Sequence, residues 1–397
     1  MAQDTLTVSV LPGYTHDAYF SFENGVVAQV PADNWDIAFE MQGFSASVRI
    51  NTQKGVELRA FPNAGAADWA TVDTAGMNAW EILYDSDTSW NLSSFTRIAD
   101  PTDPFDLGWG TYDVVTHQVT GSQVYLLKLN DSTFKKVMIN SLISGAYDFT
   151  FANLDGSDET MRQISKDDYG NKNFVYYHFA ADSVMDREPM SSEWDLLFHQ
   201  YYANLGGGTW YPVTGVMTNK GITTAEIDGI DPLAATLNDT IGGFDANISA
   251  IGNDWKSFNL GTFAWELDMD RSFFLKKNET DFYHLAFHDF GGSSDGNFIF
   301  LFRNMSPNTA TEALYAKAGW QVFPNPASNQ LNIRLDESFP ADATLQLFDQ
   351  QGRLVQKGHI PAFQATHQLA LSALPSGLYW LSLEAEGQIW TQSVMKQ

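Results

Sequence analysis

Short apolar runs alternate with polar punctuation along the whole chain. Tyr19-Phe20-Ser21-Phe22, Val48-Arg49-Ile50 and Val124-Tyr125-Leu126-Leu127 are aromatic or β-branched and are bounded by Gly, Asn and Asp. That is the pattern of strands. Stretches with helical periodicity are few and short, so the spacing predicts an all-β fold. No apolar run reaches the roughly 18 residues a membrane-crossing helix needs.

The pattern also recurs at long range. Tyr19-Phe20-Ser21-Phe22 returns as Tyr176-Tyr177-His178-Phe179, and Trp35-Asp36-Ile37-Ala38-Phe39 as Trp194-Asp195-Leu196-Leu197-Phe198. Lys54-Gly55-Val56 returns as Lys220-Gly221-Ile222, and Phe105-Asp106-Leu107-Gly108 as Phe258-Asn259-Leu260-Gly261. Leu127-Lys128-Leu129-Asn130 and Tyr147-Asp148-Phe149-Thr150-Phe151 find later partners at Leu275 and Phe298. Matches in the same order predict two homologous domains, residues 4–158 and 171–306. The period is too long for a solenoid. The polar stretch Asp155 to Asn173 suits a linker, and Ser306 to Gly319 suits a second.

Composition narrows the function classes. The 397 residues suggest two to four domains. Hydrophobic residues make up 44% and charged residues 18%, which argues against a long disordered region. Net charge is −26; from Gln321 onward there are four basic and six acidic residues, so residues 1–320 carry −24. Such a field repels nucleic acid and anionic lipid, and it keeps an exported protein soluble. Cysteine is absent, which removes disulfides, thiolate metal sites and thiol nucleophiles. The chain opens Met1-Ala2-Gln3-Asp4 with no charged-then-apolar leader, so it reads as mature, with its signal peptide already removed.

The C-terminal segment has its own signature. Pro324-Asn325-Pro326 predicts an extended approach. Asp349-Gln350-Gln351-Gly352 predicts a hairpin turn with Gly at positive φ, and Pro375-Ser376-Gly377 a second turn feeding the alternating strand from Leu378. Residues 320–397 are thus expected to form a small immunoglobulin-like β-sandwich. Pro324, Asn325, Pro326, Gly352, Gly377, Tyr379 and the basic Lys396 together resemble the type A C-terminal sorting domain of type IX secretion cargo. The resemblance implies recognition by the outer-membrane translocon and its shuttle protein. It further implies release, or anchoring on the outer surface of a Gram-negative bacterium.

Residues 14–155 resemble the HmuY family of haem-binding proteins. The resemblance is carried by Tyr19 to Val27, Asn34 to Phe39, Val48 to Asn51, Gly108-Trp109, Val124 to Leu127 and Tyr147 to Phe151. The second copy matches through Trp194 to His199. The resemblance implies haem held by paired axial His or Met ligands in a flat apolar slot. His117, after Gly108-Trp109, is the first ligand candidate. The second should come from the region of Tyr84 to Leu92, which has no His or Met, leaving the nearby Met77 as substitute. The plainer readings are a hydrogen-bonded turn histidine and loop packing.

Other candidates are weaker. His284 and His288 fall in a strand, where a spacing of four separates them by about 13 Å, so they cannot share an ion and read as solvated positions. Trp35-Asp36 and Trp194-Asp195 read as a core Trp beside an Asp that ties down a turn. Asp100 to Asp103 and Asp155 to Glu159 lack a full calcium-loop pattern. Nucleophile-elbow, zinc-protease and dinucleotide motifs are missing, so no enzyme activity is expected. Thr5, Thr74, Ser132, Ser183 and Thr240 sit in short sequons resembling those O-glycosylated by bacteria with this export system. The expectation is an exported surface or secreted ligand-binding protein with haem as leading ligand. The alternatives are a structural or adhesive surface protein, and a glycan-binding module.

Overall fold

The computed structural model describes residues 4–42, 46–62, 65–306, 320–335, 339–350, 352–385 and 388–397. The linker expected at 306–319 lies outside these from residue 307, as does most of the Met1-Ala2-Gln3-Asp4 start. The described chain is nearly all β, with short 3-10 turns between strands. None of its helices is long and apolar enough to cross a membrane.

The chain divides into two compact units, residues 3–305 and the C-terminal segment from Ser306. The first half of the larger unit supplies β1 (Asp4–Ser9), β2 (His16–Ser21), β3 (Gly25–Pro31), β4 (Ile37–Glu40), β5 (Val48–Ile50) and β6 (Glu57–Ala60). It continues with β7 (Gly110–Asp113), β8 (Gln118–Gly121), β9 (Tyr125–Lys128), β10 (Phe134–Ile143) and β11 (Ala146–Asn153). The second half supplies β12 (Thr160–Ser165), β13 (Phe174–His178), β14 (Ser183–Met185), β15 (Leu196–Asn204), β16 (Trp210–Thr218) and β17 (Thr223–Ile227). It ends with β18 (Lys256–Asn259), β19 (Ala264–Leu267), β20 (Ser272–Lys276), β21 (Phe282–Phe290) and β22 (Asn297–Asn304).

The halves do not sit in separate units, as the boundaries 4–158 and 171–306 imply, because they exchange strands. β1 pairs with β22, completing the sheet β1-β22-β21-β20-β17, while β12 pairs with β11. β2 joins the second half's strands in the order β16-β15-β2-β3, and β13 joins the first half's in the order β14-β13-β4-β5. The registers match: Phe20 faces Leu196, and Tyr177 faces Ile37. β10 and β21 also break register at one place each, between Ile139 and Ser141 and between Phe287 and Asp289. The stretch expected as a linker therefore contains β12, a paired strand.

Alternation explains why the crossing strands read as continuous apolar runs. Val175 and Tyr177 of β13 pack with Ile37 and Phe39 of β4 in one core, and Phe20 of β2 packs with Leu196 and Phe198 of β15 in another. The intervening residues Tyr19, Ala38, Phe174, Tyr176 and Leu197 point the other way, into a third cluster shared by both halves. These strands are buried on both faces, so apolar residues run on through consecutive positions instead of alternating with polar ones.

The C-terminal unit pairs β23 (Trp320–Phe323), β24 (Gln330–Leu335) and β27 (Thr366–Ala370) in one sheet. β25 (Ala343–Phe348), β26 (Leu354–Ile360), β28 (Gly377–Ala385) and β29 (Gln388–Lys396) form the other, in the order β26-β25-β28-β29. Leu331, Ile333, Leu345, Leu347, Leu381 and Leu383 fill the space between the sheets.

Candidate binding cavity

The shared cluster encloses a cavity of about 70 Å³. β2 sends Asp17 and Tyr19 into its wall, the turn before β4 sends Trp35, and β15 sends His199. Tyr176 comes from β13 and Arg187 from the loop after β14. Arg187 Nη2 donates to Asp17 Oδ2 at 2.7 Å and to the carbonyl of Pro31 at 2.8 Å. Its guanidinium lies 5.0 Å from the Tyr176 ring and 6.0 Å from the Trp35 ring. The pair is buried, Asp17 being 5% and Arg187 9% exposed. Stripping water from both charges is costly and is offset only by their contact and hydrogen bonds.

The remaining polar atoms here are unpartnered. Asp17 Oδ1, Arg187 Nε, Trp35 Nε1 and His199 Nε2 are buried and make no hydrogen bond within the protein. Buried polar groups normally find partners, since an unmet one costs about 1–3 kcal/mol. All four belong to side chains that line this one cavity. Burial pushes the His199 imidazole down to about 4; Asp17 opposes this and the Arg49 and Arg187 charges add to it, so the ring is neutral at physiological pH.

Asp85, Ser86 and Trp90 also line the cavity. Arg49 of β5 donates to the carbonyls of Ser86 at 2.9 Å and Ser89 at 3.2 Å, and its guanidinium sits 5.0 Å from the Trp90 ring. Asp85 accepts from the amides of Ser94 and Ile50, at 2.8 and 3.1 Å. Trp90 Nε1 donates across the halves to the carbonyl of Thr218 at 2.9 Å. Behind Tyr176 lies Glu188, which accepts from the Tyr176 hydroxyl at 2.7 Å and the Asn173 amide at 3.0 Å. Burial pushes its carboxyl up to about 7, against those bonds and the Arg187 and Lys220 charges.

The residues expected to hold haem lie elsewhere. His117 is exposed on the β7–β8 turn at φ 57°, its Nδ1 hydrogen-bonded to the Tyr112 hydroxyl at 2.7 Å. Met77 is half-buried in the short turn Met77–Ala79. Neither lines the cavity, whereas the segment Tyr84 to Leu92 does contribute a wall. His284 is fully buried rather than solvated, with Arg303 Nη2 3.0 Å from its Nδ1; His288 is exposed at the β21 bulge. Asp36 and Asp195 do tie down turns, as described below.

The sequence reading passed over Asp17, Arg187 and His199. A signal existed in the places where the two halves differ. Asp17 stands where the second half has Phe174, and His199 where the first has Glu40. Glu40 pairs with Lys220 and accepts from the Ser47 amide, so that position carries no free group facing the cavity.

In the C-terminal unit, Asn325 Nδ2 donates to the Ser393 carbonyl at 2.8 Å and its Oδ1 accepts from the Met395 amide at 2.9 Å. Pro324-Asn325-Pro326 forms a bend rather than an extended approach. Gly352 takes φ 75° at the hairpin turn, and the Tyr379 hydroxyl donates to the Pro375 carbonyl at 2.8 Å. Gly377 begins β28 with ordinary φ and pairs with Lys396, the last residue of β29, whose ammonium donates to the Gln397 carbonyl.

Residues 321–397 match the secretion system C-terminal sorting domain. The tail marks a protein exported by the type IX system to the cell surface or the medium. No match to the HmuY family accompanies it. No curated protein matches the chain. A solved structure titled "Biofilm associated protein - BSP domain" aligns at 10% identity over 92% of this chain and 60% of that one, with a TM-score of 0.16. At that score it carries no argument.

Proposed function

We propose that residues 4–305 are the working body of an exported, non-catalytic ligand-binding protein, and that the cavity between the exchanged strands is its binding site. One observation carries the reading: Asp17, Trp35, Arg187 and His199, four side chains that line one cavity, each hold a buried polar atom without a partner. The site has no nucleophile paired to a base, which supports binding over catalysis. The matching strand order and bulges support descent of the body from a duplicated unit. Asp17 and His199 are then places where one copy diverged to make a site.

Haem is one occupant to test, because the neutral His199 imidazole is the nitrogen donor that iron requires. Its position in the cavity favours it over His117 and Met77. Against haem, about 70 Å³ is well below the 300–1,000 Å³ of ordinary cofactor pockets. Trp35 and Trp90 line the cavity, so tryptophan fluorescence of the full chain reports any occupant. Titration with hemin, with free amino acids and with neutral oligosaccharides should give a saturable change with at least one. If none does so, the binding reading fails.

Surface adhesion, a second reading, is favoured by apolar residues exposed at the tips of two hairpins, Val115 between β7 and β8 and Leu260 and Phe263 between β18 and β19. It expects Val115→Ser with Leu260→Ser to reduce retention of the protein on abiotic surfaces. Unchanged retention would remove it.

A further inference from the structure

We propose that β1 is an exchangeable strand, so that two copies of this chain join when β1 of one pairs with β22 of the other. The inference is independent of the cavity. Connectivity comes first. Each half opens with a strand, β1 or β12, that pairs antiparallel with the last strand of the other half, β22 or β11. The registers correspond: Leu6 faces Phe300, and Arg162 faces Phe149, the repeat counterpart of Phe300. β12 follows β11 directly, through the turn at residues 154–159, so its partner is fixed by the chain. No such turn joins β1 to β22. β1 meets β22 only through space, and the β22 of a second copy offers the same register, from Asp4–Phe302 to Ser9–Asn297.

What β1 supplies is remade in full by exchange. Val8 and Val10 are buried, and Leu6 half-buried, in the core that holds Phe298 and Phe300. β1 stands at the end of the sheet β1-β22-β21-β20-β17, and among the described residues it pairs with no other strand. Withdrawing it bares the edge of β22 and an apolar slot shaped for these side chains. The β1 of a second copy fills both with the same contacts, so the cost of joining is that of association itself.

The connection to β2 favours opening. It runs from Val10 to Thr15 around the 3-10 turn Pro12–Tyr14. Leu11 sits at φ 62° and ψ 162°, a region that essentially only glycine occupies. It also precedes Pro12, and the residue before a proline is driven to extended backbone with negative φ. Tyr14 is left-handed too, at φ 57°. Packing holds this strain in place. A Cβ on Gly296 would lie 2.3 Å from the Leu11 carbonyl oxygen, the Val10 amide donates to the Gly296 carbonyl at 2.9 Å, and the Tyr14 ring stacks on Phe290 at 6.3 Å. Opening the connection lets Leu11 and Tyr14 return to ordinary backbone, and short strained connections are where strands exchange.

The test uses the lack of cysteine. Thr7 and Ile299 are paired across β1 and β22, so Thr7→Cys with Ile299→Cys introduces the only two thiols of the full chain. The protein is unfolded in guanidinium and refolded at rising concentration in high salt, which screens its net negative charge. Fractions from size exclusion are then oxidised and run on denaturing gels without reductant. The dimer fraction should grow with concentration and run as covalently linked dimer, while the monomer fraction runs as internally linked monomer. A dimer fraction that separates into internally linked monomers would place the contact elsewhere and overturn the proposal, as would the absence of dimer at every concentration. Leu11→Gly, in the chain without added cysteines, should lower the dimer fraction about fivefold or more, because glycine takes this backbone without strain. That variant stays informative if the paired cysteines disturb folding, and an unchanged dimer fraction would overturn the strained connection as the cause of exchange.

Discussion

Asp36 and Asp195 make the same bond to opposite halves of the chain. Asp36 Oδ2 accepts from the Phe179 amide at 2.7 Å, and Asp195 Oδ2 accepts from the Phe22 amide at 2.7 Å. Each carboxylate thus ties down the end of a strand donated by the other half. Each also has a lysine, Lys54 at 2.8 Å for Asp36 and Lys277 at 2.9 Å for Asp195. Both aspartates are almost fully buried. Removing either leaves a buried amide and a lysine uncompensated, so Asp36→Ala and Asp195→Ala should each cost about 2–4 kcal/mol. Urea unfolding followed by circular dichroism measures this. Because each bond crosses the halves, both variants should shift one common transition of the body. Two transitions moving independently would contradict the exchange.

Much of this was legible in the sequence, and what was not has a physical reason. The apolar runs around Tyr19, Trp35 and Tyr147 announced strands, and Trp-Asp announced a buried carboxylate at a turn. Local pattern sets which way a side chain points but not which strand lies alongside. Phe20 and Tyr177 look alike, so their exchange of partners left no trace. Asp17 and Arg187 meet across 170 positions, and neither has a local signature. His117 drew attention through the HmuY resemblance, yet its positive φ and its bond to Tyr112 fit the plainer reading of a hydrogen-bonded turn histidine. The sorting tail was readable through the resemblance carried by Pro324-Asn325-Pro326, Gly352 and Tyr379, although the first of these bends where an extended approach was expected.

Two groups beside the cavity should give opposite pH dependences. His199 falls to about 4 in the folded chain from an ordinary 6.5, so its stability contribution is present above about 6.5 and is lost as pH falls through 4. Glu188, faced by Tyr176, the Asn173 amide, Arg187 and Lys220, rises to about 7 from 4.5. The folded form then binds the extra proton, and stability declines as pH rises from about 4.5 through 7. Glu188→Gln should stabilise the folded chain at pH 8 by on the order of 1–3 kcal/mol, read as a higher melting temperature, and change it little near pH 4.5. His199→Gln should flatten the acid limb between about 6.5 and 4. Equal shifts at both pH values would show that the variants act through packing alone.

Gly121 marks a close approach that no larger residue permits. A Cβ built there would lie 1.9 Å from the Ile139 carbonyl oxygen, backbone that cannot swing aside. Gly121→Ala must push β8 away from β10, and overpacking of this kind costs about 1–3 kcal/mol. The control is Gly145→Ala, at a turn where a Cβ meets nothing within 4 Å and only the positive φ is penalised. Denaturation midpoints should fall further for Gly121→Ala than for the control. The reverse order would mean that β8 lies farther from β10 than described.

The last prediction concerns the tail. Asn325 holds β29 by two hydrogen bonds, and the backbone adds a third and fourth where the Ala327 amide donates to Met395 and the Gln397 amide donates to Ala327. β29 is thereby fixed over its last residues. Asn325→Ala removes the two side-chain bonds and should destabilise the C-terminal unit by about 1–3 kcal/mol. Tyr379→Phe, which frees only the Pro375 carbonyl, should cost about 1 kcal/mol. Scanning calorimetry of the full chain resolves this, because residues 3–305 and the C-terminal unit are separate compact units and the larger one serves as internal reference. In a secreting host, deleting residues 320–397 should keep the body inside the cell envelope. Asn325→Ala should export less than Tyr379→Phe if the machinery recognises the folded end of β29. Equal export of the two variants would place recognition away from that strand.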